Sequence, residues 1–131
     1  MSISASMLVA DRINFDSFNY THSIGRVLNR LEIPSFPNAV VTDVYLKIRL
    51  PNPAFMETAQ ILVYAPDQML EVESPIIEIK NYRPYKEFPG MDASMNVRFA
   101  AVEEGSYIYR LVIGQNLIVI DYPLYIHASE V

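Results

Sequence analysis

Cysteine is absent from this sequence, and glycine and histidine are scarce, with four glycines and two histidines among 131 residues. The lack of cysteine excludes disulfide bonds, thiolate zinc sites and cysteine nucleophiles. The glycines do not cluster, so the chain has no glycine-rich loop that cradles phosphates, and we expect no nucleotide cofactor. His22 and His127 stand far apart and have no histidine partner at metal-ligand spacing. The sequence therefore indicates neither a cofactor-binding residue nor a metal ligand.

Long apolar runs are missing as well. No stretch approaches the roughly 20 apolar residues that span a bilayer, and the N-terminal segment lacks the features of a secretory signal. We therefore expect a cytoplasmic protein that does not engage membranes. Ten basic residues against fifteen acidic ones give a formal charge of −5, and a net negative field repels phosphate backbones. Nucleic acid is accordingly not expected as a partner.

Catalytic motifs are equally scarce. The sequence contains no G-x-S-x-G elbow and no glycine-rich oxyanion loop, so a serine hydrolase is not indicated. Glu71 and Glu73 share a face if they lie on a strand, and they would then come within the separation that glycosidases use. Acid pairs beside turns are ordinarily solvated, however, and the adjacent Glu103 and Glu104 would point apart. A carboxylate-pair hydrolase is a third hypothesis, and we assign no catalytic residue.

What the sequence does contain is a strong hairpin signal in Gly105–Ile126. Two long runs of β-branched and aromatic residues flank the polar turn Gly114-Gln115-Asn116, a pattern typical of paired antiparallel strands. Pro123 lies inside the second run and cannot donate to a ladder, so it requires an edge position or a bulge. The segment after Asp121 is therefore a candidate for pairing with a partner chain.

Further strands are predicted along the rest of the chain, which no repeat or linker divides, so we expect one domain over residues 1–131. Prolines mark the ends of most segments, because proline cannot donate to a sheet. A helix over Ser17–Leu31 is an alternative to the second strand, and Lys80–Asp92 is predicted to be a long loop. The predicted strands outside the hairpin are Met7–Phe15, Tyr20–Ile33 with a break at Gly25, Val44–Leu50, Ala59–Tyr64, Ile76–Ile79 and Ala93–Phe99.

About eight strands separated by turn signals predict an all-β, antiparallel β-sandwich. Greek-key or jelly-roll connections are favoured over an up-and-down barrel. The predicted core follows from the alternation of apolar residues along each strand. It consists of Val44, Leu46, Ile48, Ile61, Val63, Val97, Phe99, Ile118, Ile120 and Ile126.

A family resemblance rests on the order of several segments. These are ADRI at Ala10–Ile13, Ser23-Ile24-Gly25, Ile33-Pro34-Ser35-Phe36-Pro37, VYLKIRLPNP at Val44–Pro53, and EEGSYIYRLVIGQNLI at Glu103–Ile118. In this order the chain resembles a group of small, uncharacterised bacterial and bacteriophage-associated proteins of unknown function. The resemblance covers most of the chain, with Ile76–Asp92 departing from it. It implies a β-sandwich and no activity, and no functional residue can be carried over.

Two surfaces are candidates for interaction. If Tyr20–Ile33 is extended, Arg26 and Arg30 share a face with His22 and large aliphatic residues, a composition enriched at protein interfaces. The second candidate is the loop that carries Tyr82, Arg83, Tyr85 and Phe88, where aromatic and basic side chains combine. The alternative for the first surface is that the same chain covers it, with the arginine stems lying over the sheet. The alternative for the loop is that Tyr82 and Phe88 close one end of the sandwich while the charged groups lie in water.

These observations favour a non-enzymatic binding or interaction module that self-associates into a homo-oligomer or docks on a protein partner. Sandwiches expose edge strands that must be paired, charged or covered, and a partner chain is one way to cover them. The alternative function is a small-ligand-binding protein with a pocket between the sheets or at a loop-lined end.

Overall fold

The computed structural model describes residues 2–129 and contains eleven strands. No helix in this part of the chain has the length and apolar character needed to cross a membrane. The strands are β1 (Ser4–Ala10), β2 (Ile13–Asp16), β3 (Thr21–Ile24), β4 (Arg30–Ile33), β5 (Asn38–Arg49), β6 (Glu57–Tyr64), β7 (Leu70–Glu73), β8 (Ile77–Ile79), β9 (Gly90–Ala101), β10 (Gly105–Ile113) and β11 (Ile118–Ala128).

The strands form two main sheets and one hairpin. The three-stranded sheet has the order β1-β5-β9, and the six-stranded sheet has the order β4-β11-β10-β6-β7, with β8 also paired to β6. Neighbouring strands are antiparallel except β4 and β11, which run parallel. β2 and β3 pair only with each other, as a two-stranded hairpin.

The two main sheets divide the strands as an immunoglobulin-type Greek-key sandwich does. β1, β5 and β9 hold the positions of strands A, B and E, while β6, β10 and β11 hold those of C, F and G. Tyr107, near the start of β10, is fully buried, and its hydroxyl donates to the carbonyl oxygen of Glu103 at 2.8 Å. This hydrogen bond has the geometry of a tyrosine corner, which is typical of such sandwiches. The predicted antiparallel β-sandwich is confirmed.

The core lies between the facing sides of the two sheets. Phe99 of β9 packs against Tyr107 and Tyr109 of β10, with ring centroids 5.4 and 5.9 Å apart. Eight of the ten predicted core residues are buried, whereas Ile118 and Ile120 are partly buried and pack against the core. The alternation along β10 buries every second residue, because successive side chains of a strand point to opposite faces. The buried set in β10 is Tyr107, Tyr109, Leu111 and Ile113.

The first third of the chain differs from the prediction. Met7–Phe15 is two strands, β1 and β2, because the chain turns at Asp11, whose carboxylate accepts a hydrogen bond from the Arg26 backbone N–H at 2.8 Å. Tyr20–Ile33 is also two strands, β3 and β4, so it presents no continuous face, and the helical alternative is wrong. The Leu28 N–H donates to the Val9 carbonyl at 2.9 Å. Backbone groups of this region therefore bond across to the first strand instead of along a helix.

Several strand and loop boundaries elsewhere in the chain differ from the predicted ones. β5 and β9 each have twelve residues, so the predicted strands Val44–Leu50 and Ala93–Phe99 are extended, and the predicted loop ends at Pro89. β7 was not predicted, and the strand count is eleven instead of about eight.

Pro123 has the edge position that its missing N–H requires. It pairs with Ile108 of β10 on one side. β4 pairs with β11 only from Tyr125 to Ala128. Among the described strands none pairs with the other side of β11 at Pro123, so the prediction for this proline is confirmed.

Candidate functional site

The β2–β3 hairpin stands on the outer face of the three-stranded sheet. Its strands pair from Ile13 with Ile24 to Asp16 with Thr21. The Ile13 N–H donates to Asp43 Oδ2 of β5 at 2.8 Å, and this hydrogen bond ties the base of the hairpin to the sheet. The hairpin thereby forms one wall over outward-facing side chains of β5.

A cleft of about 690 Å³ lies between this hairpin, the outer face of β5 and β9, and the loop at residues 80–89. We call it the aromatic cleft, because five of the side chains that line it carry aromatic rings. Its volume falls within the range of roughly 300–1,000 Å³ that is usual for ligand sites. The lining residues are Phe15, Tyr20, His22, Ile24, Tyr45, Lys47, Tyr82, Arg83, Pro84, Glu87, Met91 and Asp92.

Four of the rings form a continuous wall. The ring of His22 lies between those of Phe15 and Tyr45, with centroids 4.7 and 4.9 Å away, and Tyr20 packs edge-on against Phe15 at 6.4 Å. These distances are those of favourable aromatic pairs. Phe15 is nevertheless 50% exposed and Tyr20 82% exposed, so the wall offers a large apolar surface that nothing in the described chain covers.

The floor of the aromatic cleft is a compact group of charges. The carboxylate of Asp92 accepts hydrogen bonds from Lys47 Nζ at 2.9 Å and from Arg83 at 3.0 Å. Partial burial acts to raise the pKa of Asp92, but the hydrogen bonds and positive charges of Lys47 and Arg83 outweigh it, so the pKa lies below its usual value. Burial, together with the charge of Asp92, raises the pKa of Tyr45. Asp92 is therefore held ionised, and Tyr45 keeps its proton.

The loop at residues 80–89 forms the opposite wall and is held by its own hydrogen bonds. The side-chain oxygen of Asn81 accepts from the backbone N–H groups of Arg83 at 3.1 Å and Gly90 at 3.0 Å. Arg83 also donates to the carbonyl oxygen of Phe88 at 3.3 Å, and its side chain is only 16% exposed. Arg83 is thus an anchored cation, whereas the ring of Tyr82 remains 60% exposed.

The structure brings two of the six predicted interaction residues into the aromatic cleft. Tyr82 and Arg83 line it, while Phe88 lies beside it under the guanidinium of Arg49, 4.3 Å from the ring centroid. Tyr85 is in the same loop and points into solvent.

The prediction that Arg26 and Arg30 lie on the same face of one strand is wrong, because β3 ends at Ile24 and β4 begins at Arg30. Arg26 lies after β3 and pairs with Asp11 through Nε and Oδ2 at 3.1 Å. Arg30 lies at the start of β4, 5.5 Å above the ring of Tyr125. Neither arginine lines the aromatic cleft.

Sequence reasoning missed the contributions of the hairpin and of β5. The available signal was the outward face of β5, where Tyr45 and Lys47 alternate with buried aliphatic residues. A second signal was the density of aromatic residues in one short segment, at Phe15, Phe18 and Tyr20. Neither signal says which segments meet.

The other chemistry considered from sequence lies elsewhere. Glu71 and Glu73 are on β7, outside the aromatic cleft. Within residues 2–129, no three histidine, aspartate or glutamate side chains form a group that could hold a metal ion.

Comparison with known proteins finds likenesses in shape to solved structures, including the two given below. No protein-family model matches the sequence, and no curated protein matches it. The CARDB domain of the PF1109 protein from Pyrococcus furiosus, solved in complex with di-metal ions, is 9% identical, with a TM-score of 0.48 and coverage of 94% of this chain and 89% of that chain. A β-glucosidase from Kluyveromyces marxianus is 12% identical, with a TM-score of 0.36 and coverage of 72% of this chain and 16% of that chain.

Proposed function

We propose that the protein is a non-enzymatic binding module that engages another polypeptide chain through the aromatic cleft. The observation that carries this proposal is the exposed aromatic wall beside an ordered arginine. Tyrosine and arginine are enriched among the residues that dominate protein interfaces. Because Arg83 is already fixed by Asp92 and by the Phe88 carbonyl, little side-chain entropy would be lost when a partner binds.

The state of Asp92 supports a binding role over a catalytic one. A general acid that works near neutral pH needs a raised pKa. Asp92 has the opposite shift, because Lys47 and Arg83 hydrogen-bond to its ionised form and outweigh the effect of burial. Its carboxylate is therefore suited to organising the two cations rather than to donating a proton.

The test is selection of short peptides from a random display library on the immobilised protein. We expect the selected peptides to bind the wild type and to lose most of their affinity for Tyr82→Ala. Tyr85→Ala is the matched control, because Tyr85 lies in the same loop and is exposed outside the cleft. Equal affinity of the selected peptides for all three proteins would contradict the proposal.

A small-ligand-binding protein is the second candidate, and the volume of about 690 Å³ favours it. Its test is a thermal-shift screen over nucleotides, sugars and small aromatic acids. A compound that stabilises the wild type and Tyr85→Ala but not Tyr82→Ala would support this function.

A bacteriophage association and a cytoplasmic location remain predictions from the sequence.

A further inference from the structure

The turn between β2 and β3 presents an aromatic side chain that lies outside the aromatic cleft. Phe18 is 91% exposed. The carboxylate of Asp16 orders the turn, because it accepts hydrogen bonds from the Phe18 N–H and from the Asn19 side-chain amide, both at 2.9 Å. Phe18 is therefore displayed on a preformed turn, which reduces the entropy lost when it packs against another molecule.

This turn adjoins the aromatic cleft without filling it. Phe18 is two residues from Tyr20, which lines the cleft, and two residues span at most roughly 7 Å of extended chain. Tyr20 has a left-handed backbone, with φ of 53°. The tip and the cleft are thus neighbouring parts of one surface, and the exposure of Phe18 shows that its ring does not enter the cleft of its own chain.

The turn and the cleft are complementary in chemistry. The turn offers an apolar ring next to the carboxylate of Asp16, and the segment Asp16–Tyr20 contains no basic residue. The cleft offers exposed rings of Phe15 and Tyr82 and the ammonium of Lys47, which binds Asp92 at 2.9 Å and whose side chain is nevertheless 59% exposed. An aromatic ring would stack in the cleft while the adjacent carboxylate approaches Lys47.

We propose that the aromatic cleft binds the β2–β3 turn of a second copy of this chain, with Phe18 as the inserted side chain. The inference rests on the proposed function and names the partner. Because the turn and the cleft are adjacent on each copy, a two-fold axis beside the hairpin lets each copy insert Phe18 into the other, and the assembly closes as a dimer.

Sedimentation equilibrium of the full chain at micromolar to submillimolar concentrations tests this dimer. We expect the wild type to approach twice its monomer mass of 15.0 kDa. Phe18→Ser should raise the dissociation constant by about tenfold or more, the effect of truncating an aromatic anchor at an interface. Tyr85→Ser, which alters a similarly exposed ring outside the turn and the cleft, should leave the constant unchanged.

Mixing two variants separates this contact from a general loss of apolar surface. Phe18→Ser retains an intact cleft, and Tyr82→Ala retains an intact turn. In a heterodimer of the two variants, Phe18 of the Tyr82→Ala chain can insert into the intact cleft of the Phe18→Ser chain, so one of the two contacts is kept. The mixture should therefore dimerise more strongly than either variant alone. Equal association of the mixture and of the separate variants would overturn the proposal, as would a wild type that stays monomeric throughout.

The two proposals fail in distinguishable ways. A monomeric wild type whose cleft still binds selected peptides overturns the dimer and leaves the binding function standing. A monomeric wild type whose cleft selects no peptide overturns both. A single cooperative urea transition for each variant establishes that Phe18→Ser and Tyr82→Ala remain folded.

Discussion

The hydroxyl of Tyr109 lies 2.7 Å from Oγ1 of Thr42, and this buried hydrogen bond joins β10 of one sheet to β5 of the other. Thr42 is a buried polar residue in the core, and Tyr109 is fully buried. Burial raises the pKa of Tyr109 despite the hydrogen bond. Tyr109 lies two residues after the corner tyrosine, where immunoglobulin domains carry a cysteine of their inter-sheet disulfide. In this cysteine-free chain, a hydrogen bond links the sheets at that position.

A double-mutant cycle on this pair should reveal strong coupling. Thr42→Val leaves the Tyr109 hydroxyl without its partner, and Tyr109→Phe removes the closest partner of Thr42, so each change should lower the unfolding free energy by about 1–3 kcal/mol. The double variant should lose less than the sum, with a coupling energy of about 1 kcal/mol, measured by urea unfolding. Strict additivity would contradict the inter-sheet role of the hydrogen bond.

The tyrosine corner provides a second stability prediction. The Tyr107 hydroxyl donates to the Glu103 carbonyl and accepts from the N–H groups of Val102 and Glu103 at 3.2 and 3.3 Å. Tyr107→Phe should lower the unfolding free energy by about 1–2 kcal/mol, because those groups exchange an internal partner for water. Tyr85→Phe removes an exposed hydroxyl and serves as control, with no measurable change expected in the urea midpoint.

Acidification should reduce the stability that the Lys47–Asp92–Arg83 group at the floor of the aromatic cleft contributes. The folded-state pKa of Asp92 lies below the ordinary aspartate value of 3.8. The ionised carboxylate therefore contributes stability that is complete above this value and is lost as pH falls through the folded pKa. Asp92→Asn should lower the urea midpoint at neutral pH, and its difference from the wild type should shrink below about pH 4. A difference that stays constant to pH 2.5 would show that the Lys47–Asp92–Arg83 group has no such role.

Gly90 should resist substitution although its backbone is ordinary for a strand. A Cβ at this position would lie 2.2 Å from the Ile48 carbonyl oxygen and 3.0 Å from a guanidinium nitrogen of Arg83. Gly90→Ala should therefore lower the unfolding free energy by about 1–3 kcal/mol, the usual effect of overpacking. Ser94→Ala, an exposed change in the middle of the same strand, should leave the urea midpoint unchanged within error.

Peptide binding should also report on the Asn81 side chain. Asn81→Ala removes the acceptor that orders the Arg83 and Gly90 N–H groups, so the loop should lose its fixed shape. Affinity of the selected peptides should fall by about tenfold, whereas the Thr42–Tyr109 coupling energy should be unchanged. Calorimetric titration of one selected peptide measures the loss.

Local sequence patterns predicted most strands, but the ends of these strands depend on pairing with other segments of the chain. The alternation around Val44–Leu50 identified the second half of β5, while Asn38–Asp43 interrupts simple alternation with an exposed Val41. Pairing with β9 over twelve positions makes that first half a strand as well. In the same way, the break at Asp11 depends on hydrogen bonds from Arg26, fifteen positions away. Such contacts override local preference, because ladder partners are supplied by other segments.

The candidate site was predictable only in part. Tyr82 and Arg83 stand in an irregular, proline-bearing loop, and that feature made the loop a candidate for recognition. Phe15, His22 and Tyr45 gave no comparable signal for a shared site, because Phe15 and His22 belong to the β2–β3 hairpin whereas Tyr45 belongs to a different sheet. Arg26 and Arg30 were grouped on the assumption of one continuous strand, and the break after Ile24 separates them.

By itself, the sequence determined the β class, the buried face of most strands and the absence of disulfide or thiolate chemistry, because side-chain polarity and backbone preference are local properties. The tertiary structure alone decided that the β2–β3 hairpin lies over β5 opposite the loop at residues 80–89. That arrangement depends on strand pairing and on burial of the shared core, which are properties of the whole chain. The aromatic cleft is a product of that arrangement.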